Sequence, residues 1–150
     1  MYPILVHLSR LSVLVIGGGK IATRKIKGLV EEGGKPTVIA PVVTDDLSQL
    51  AAEGRIVWHQ RPFQTGDTQG FQMVFICTDN ETVNQRILQE VTPQQLVNDT
   101  TKQSRSNFFN MVFVKEKDIG LAITTGGKSP ETAKKLKSAV QTFLKSLVKS

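Results

Sequence analysis

Three consecutive glycines stand between the apolar run Val13-Leu14-Val15-Ile16 and a helical pattern that begins at Lys20. The stretch Gly17-Gly18-Gly19-Lys20-Ile21-Ala22 fits G-x-G-x-x-A. In that pattern the first glycine makes a tight turn, the second lets a phosphate approach the backbone, and the small last residue lets helix pack on strand. Gly17, Gly19 and Ala22 take those three places. Free N–H groups at a helix start, with about half a positive charge from the helix dipole, receive a pyrophosphate. Strand, glycines and helix in this order point to a dinucleotide. The plain alternative is a glycine turn without a ligand.

An acid about 20 residues beyond such glycines usually holds the adenosine ribose. Here that place reads Ile39-Ala40-Pro41-Val42, while Asp45 and Asp46 come late and no arginine stands there to favour a 2′-phosphate. The site therefore reads as one whose ribose is held by backbone groups, with NAD preferred over NADP. Thr78-Asp79-Asn80 closes the apolar run Met73 to Cys77, and Asn98-Asp99-Thr100-Thr101 closes a later one. Polar groups at the carboxyl ends of parallel strands line the ligand crevice of an open α/β sheet. Asn80 also suits the cap of the following helix, and both roles stay open. Cys77 falls inside an apolar run and reads as a packed thiol. Neither His7 nor His59 has a spaced partner, so no metal site is expected.

The chain alternates strand and helix over its first two thirds. Strands are expected at Ser12–Ile16, Thr37–Ala40, Arg55–Gln60, Met73–Cys77 and Gln95–Asn98. Helices are expected at Lys20–Glu32, at Asp45–Glu53 behind a Thr44 cap, and at Glu81–Glu90. Gly33-Gly34 stops the first helix, and residues 61–70 read as a polar loop. This is α/β, a Rossmann-type parallel sheet with helices on both faces. The pattern then changes. Asn107–Lys115 and Ile119–Thr125, joined by Glu116-Lys117-Asp118, read as a β-hairpin. A hairpin leaving a parallel sheet is poorly buried alone, so pairing with a second subunit is its natural remedy. Ser129 as N-cap and Pro130 at the first helical position open a last helix, whose apolar stripe is Ala133, Leu136, Val140, Phe143 and Leu147.

The bulk numbers exclude several classes. At 150 residues, with 39% apolar and 21% charged residues, the composition is that of a globular chain. No apolar run approaches the roughly 20 residues that span a bilayer. The start, Met1-Tyr2-Pro3-Ile4-Leu5, lacks the features of a signal peptide. One cysteine cannot form an internal disulfide, which suits the cytoplasm. The net charge is +6, and six of the 19 basic residues (Lys128, Lys134, Lys135, Lys137, Lys145, Lys149) lie in the tail. They form no arginine-rich stripe with interleaved aromatics, so nucleic acid is not expected. A polyanionic small substrate or a solvated helix face accounts for them.

Taken together, Tyr2-Pro3, Val13–Ala22 with Arg24-Lys25, Ala40-Pro41, Arg61-Pro62-Phe63, Thr78-Asp79-Asn80 with Val83-Asn84, Val97-Asn98, Phe108 and Thr125–Pro130 occur in one order. In that order they resemble the precorrin-2 dehydrogenase / sirohydrochlorin ferrochelatase family of sirohaem synthesis. The resemblance implies an NAD-binding Rossmann domain over 1–106 and a dimerisation hairpin region over 107–128. From 129 to 150 it implies the start of a helical module in which this chain stops early. It implies oxidation of precorrin-2 to sirohydrochlorin with hydride passing to NAD⁺, in the cytoplasm, by a homodimer with no membrane or nucleic-acid partner. With Gly17 and Gly19 of the motif, the implied cofactor contacts are Lys20, Ile21, Pro41, Val42, Thr78 and Asp79. Asn98, Thr125 and Lys128 are the expected substrate contacts. The substrate carries eight carboxylates, which gives a basic surface a purpose. One departure stands out: bifunctional members carry an aspartate where this chain has Thr101. Asp99, two residues earlier on the same side of an extended segment, is the expected substitute for proton removal. Chelation is not expected, and a dehydrogenase-only member is the favoured reading. The competing readings are a dinucleotide-sensing module without catalysis and a bifunctional enzyme.

Overall fold

The computed structural model describes residues 1–126 and 129–148. Short apolar runs become buried strands: Val13–Ile16 (β1) and Met73–Ile76 (β4) are covered on both faces along their whole length, as central parallel strands must be. Thr37–Ile39 (β2), Val57–His59 (β3) and Leu96–Asp99 (β5) complete one sheet in the order β3-β2-β1-β4-β5, every pair parallel. The chain winds outward from β1 and then crosses back to β4. The switch point therefore lies between the carboxyl ends of β1 and β4, where such sheets bind ligands.

Lys20–Glu31 (α1) and Asp45–Ala52 (α2) cover one face, burying Ala22, Ile26, Leu29, Leu47 and Leu50 on Val13, Val15, Val38 and Phe75. Glu81–Glu90 (α3) covers the other face with Ile87 on Leu14, Ile16, Val74 and Val97. The helices thus lie on both faces, as the sequence predicts. Residues 61–70 are less of a polar loop than expected. Phe63 joins the second core at 7% exposure and Thr68 is 1% exposed. Gln95 ties this segment down, its Nε2 donating to the carbonyls of Thr68 and Phe71 at 2.8 and 2.6 Å.

The described chain divides into two compact units, Met1–Phe108 and a second from Phe109 onward. The second unit holds an antiparallel hairpin, Val112–Glu116 (β6) and Ile119–Ile123 (β7), with Val114 opposite Leu121, and the helix Pro130–Val148 (α4). Lys117 makes the turn at φ 49°. The first hairpin strand starts five residues later than expected, because Asn107 is spent on β5. Its N–H donates to the Val97 carbonyl, its Oδ1 accepts from Val97 N–H, and its Nδ2 donates to the Gln95 carbonyl. Ser129 caps α4 as expected, its Oγ accepting from Thr132 N–H at 3.2 Å.

The apolar stripe of α4 is a correction. Ala133 and Leu144 are buried, whereas Leu136, Phe143 and Leu147 are 43, 59 and 55% exposed. Residues 133, 140 and 144 stack on one helical line, and this line turns inward. Its apolar neighbour remains outside.

Candidate active site

The three glycines divide their work differently from the motif's usual assignment. Gly17 sits at φ 116°, and a Cβ there would lie 2.5 Å from the Cys77 carbonyl oxygen. A side chain at Gly18 would strike the Val42 carbonyl. So the first glycine seats β1 against the end of β4, and the second seats the loop against Pro41–Val43. Gly18 was not singled out by the motif; only the fold reveals its neighbour. At Gly19 a Cβ would meet nothing within 4 Å. Gly19 is also the N-cap of α1 and offers no side-chain bond to the first helical N–H groups. Those donors lack helical partners, as at any helix start. The cradle fits a diphosphate.

Hydroxyls brace it. Thr23 Oγ1 donates to the Gly19 carbonyl at 3.0 Å, so the 2.7 Å contact with Thr44 Oγ1 has Thr44 as donor. Thr44 N–H also donates to the Gly18 carbonyl at 3.1 Å. Thr44 holds the N-cap position of α2 as expected, but its side chain is spent on α1 and makes no cap bond. The loop carrying Pro41 and Val42 is thereby pinned beside the glycines. Val42 and Ile21, 77 and 46% exposed, form apolar lips there.

Across the switch point, Thr78 Oγ1 accepts from Asn80 N–H, and Asn80 Oδ1 accepts from Val83 N–H. Of the two roles open for Asn80, the structure places it as the cap of α3. Asp79 is exposed beside it. Asn84, to which the sequence reading gave no role, is 1% exposed and donates to the Thr78 carbonyl at 3.0 Å, holding this turn from below. Its spacing of four from the cap was the available signal. Nearby, Lys25 is half-buried, with Nζ 5.0 Å from the centre of the Phe75 ring. Burial lowers its pKa from the ordinary value. Burial likewise pushes the Cys77 thiol up to about 11, against an opposing pull from Lys25. Cys77 is therefore a poor nucleophile, in keeping with a packed thiol.

Asp99 is not placed as the expected proton acceptor. Its side chain is fully buried. Oδ1 accepts from Thr101 N–H, Thr101 Oγ1 and Lys102 N–H at 2.8, 2.7 and 3.3 Å, and Oδ2 faces Arg105 Nη1 at 3.6 Å. Arg105 in turn grips Glu81 through both guanidinium nitrogens, at 3.0 and 2.6 Å. A carboxylate so enclosed fastens the loop after β5 and has no face open to a substrate. Asn98, 7% exposed, is likewise engaged, its Nδ2 donating to the Phe108 carbonyl. In the second unit Thr125 Oγ1 accepts from Ser129 N–H and shapes the entry to α4. Lys128 lies outside the described residues. Among the described residues no cluster of His, Cys, Asp or Glu suits a metal ion.

Comparison with known proteins meets this geometry. The family described as "Putative NAD(P)-binding" matches residues 4–111. The precorrin-2 dehydrogenase of Bacillus subtilis (strain 168) is 32% identical over 144 residues, covering 96% of this chain and 89% of that protein. The chain belongs to the precorrin-2 dehydrogenase family. Within that family, the Priestia megaterium precorrin-2 dehydrogenase is 34% identical over 137 residues, 91% of this chain and 68% of its own. The solved structure of SirC, a precorrin-2 dehydrogenase, superposes with a TM-score of 0.82 at 32% identity, covering 95% of this chain and 70% of that one. The siroheme synthase of Actinobacillus pleuropneumoniae serotype 3 (strain JL03), 30% identical, matches over 29% of its length. This family membership agrees with the dehydrogenase resemblance read from the motifs.

Proposed function

We propose that this protein oxidises precorrin-2 to sirohydrochlorin with NAD⁺, as a cytoplasmic homodimer. One observation carries the reading. The glycine turn opens α1 at the sheet's switch point with no side-chain cap and with room where a Gly19 Cβ would stand, in a chain that aligns over 96% of its length with a precorrin-2 dehydrogenase.

The dinucleotide supplies the hydride acceptor. In this reading Gly17, Gly19, Lys20 and Ile21 hold its diphosphate, Pro41 and Val42 flank its adenosine, and Thr78 and Asp79 edge the crevice. Lys20, at the first position of α1, adds a positive charge where backbone donors already point. Arg24 and Lys102 are exposed and provide counter-charges for a polycarboxylate. Thr125 and Lys128 are the proposed substrate contacts, and Asn98 braces the crevice edge through its bond to the Phe108 carbonyl. Asp99 contributes by fixing the Thr100–Lys102 turn, and the proton released with the hydride passes to solvent. Dehydrogenation then asks the protein mainly for positioning and for exclusion of water.

The test is incubation of the purified protein with precorrin-2 and NAD⁺. Growth of NADH absorbance with the spectrum of sirohydrochlorin is expected. Binding of NADH with no affinity for the tetrapyrrole would replace the enzyme reading with a nucleotide sensor.

A further inference from the structure

At the amino ends of β4 and β5, the end of the sheet away from the glycine crevice, lies a hollow of about 400 Å³. Its walls are residues 68–72 ahead of β4, Glu90 at the end of α3, and Thr92, Gln94 and Gln95 ahead of β5. The walls are tied to one another. Gln95 Nε2 holds the Thr68 and Phe71 carbonyls, Gln95 Oε1 accepts from Thr92 N–H at 2.8 Å, and Leu96 N–H donates to the Gln72 carbonyl at 2.8 Å. The hollow is thus formed in advance, with the volume of a small-molecule site.

Glu90 is the one charged residue of this lining. It is half-buried, and its Oε2 accepts from Gly66 N–H at 3.0 Å and from Thr68 Oγ1 at 3.5 Å. Among the described residues no cation pairs with it. Arg86, one turn earlier on α3, is turned instead to Thr65 Oγ1 at 2.9 Å and to the Phe63 ring. Glu90 is also the last residue of α3, whose final turn holds no basic residue. Its charge therefore adds to the negative end of the helix dipole, where a cation is the favoured neighbour. A sheltered carboxylate without a counter-charge is costly to keep. Around it Gln69 and Gln94 are exposed at the rim with amide oxygens that can accept, and Phe71 gives apolar surface.

We propose that this hollow binds a small organic cation, an ammonium or guanidinium on a short apolar stem, with Glu90 as its counter-ion. Agmatine is titrated into the full chain, followed by calorimetry and by amide NMR. Saturable binding is expected, with the Gly66, Thr68 and Gln95 amides shifting while those of Gly17–Ile21 stay in place. Glu90→Gln keeps an acceptor for Gly66 N–H and should weaken binding at least about tenfold. Gln94→Lys sets a tethered ammonium at the rim and should weaken it about fivefold. It decides the matter if Glu90→Gln does not fold, circular dichroism being the check on both. Butanol, a similar stem without the charge, should not saturate the site. The proposal is overturned by no saturation at about 50 mM agmatine, or by butanol binding equally well. Unchanged affinity in folded Glu90→Gln, or in Gln94→Lys where that variant alone folds, would overturn it too. Tighter binding of a blocked lysine peptide than of agmatine would replace the free cation with a side chain of a partner protein.

Discussion

Gly17 and Gly19 share a letter and differ in duty. At Gly17 a side chain meets both a left-handed φ of 116° and the Cys77 carbonyl. Gly17→Ala should therefore cost roughly 2–4 kcal/mol of folding stability, read from urea denaturation. Gly19 has φ −81° and empty space around its missing Cβ. Gly19→Ala should leave the denaturation midpoint within about 0.5 kcal/mol of wild type, while weakening NADH binding about tenfold by crowding the diphosphate. Equal loss of stability in both variants would show that the third glycine is a packing residue like the first. Asp99 shows where single-residue reasoning stopped. An acid near the end of a sheet strand looks available for chemistry on paper. Nothing in the one-dimensional pattern tells that Thr101 and Lys102 would turn back to take one oxygen, or that Arg105 would close over the other.

Glu81 opens α3, and Arg105 follows β5, so their ion pair joins two elements at the crevice end of the sheet. Arg105, with help from Gln85, holds the Glu81 carboxyl down at about 2 from an ordinary 4.5. A carboxyl with a depressed folded-state pKa adds stability that is complete above its unfolded value and is lost as pH falls through the folded one. The difference in denaturation midpoint between wild type and Glu81→Gln should thus be constant above about pH 5 and vanish by about pH 1. A difference that persists undiminished at about pH 1 would assign the effect to something other than this charge. Elements were the scale at which the sequence spoke most clearly. The central strands are continuous apolar runs, and the helices follow glycine, threonine, asparagine and serine starts that the structure keeps. Boundaries failed where a tertiary partner intervened. β3 shrank to Val57–His59, and β6 waited for Asn107 to finish with β5. The cofactor crevice was legible because its signal is local.

The second unit leaves Phe113, Ile119, Leu121, Leu136, Phe143 and Leu147 exposed by 39 to 59%. Several large apolar side chains exposed in one unit mark an interaction surface, which supports the proposed homodimer. Stable dimers bury roughly 1,200–2,000 Å². Sedimentation should find wild type dimeric at micromolar concentration and Phe143→Asp monomeric with its first unit intact. A wild-type monomer would remove the dimer from the proposal. The first unit has its own way of staying discrete. Besides the three bonds from Asn107, Ser106 Oγ accepts from Asp99 N–H and donates to the Asp99 carbonyl. Two adjacent residues thus stand in for an entire sixth strand, answering the outward groups of Gln95, Val97 and Asp99. A second molecule arriving at this border finds the outward groups of β5 already answered, so copies have no row of free strand groups there to zip onto, and crowding in the cell has no such seam to exploit on β5.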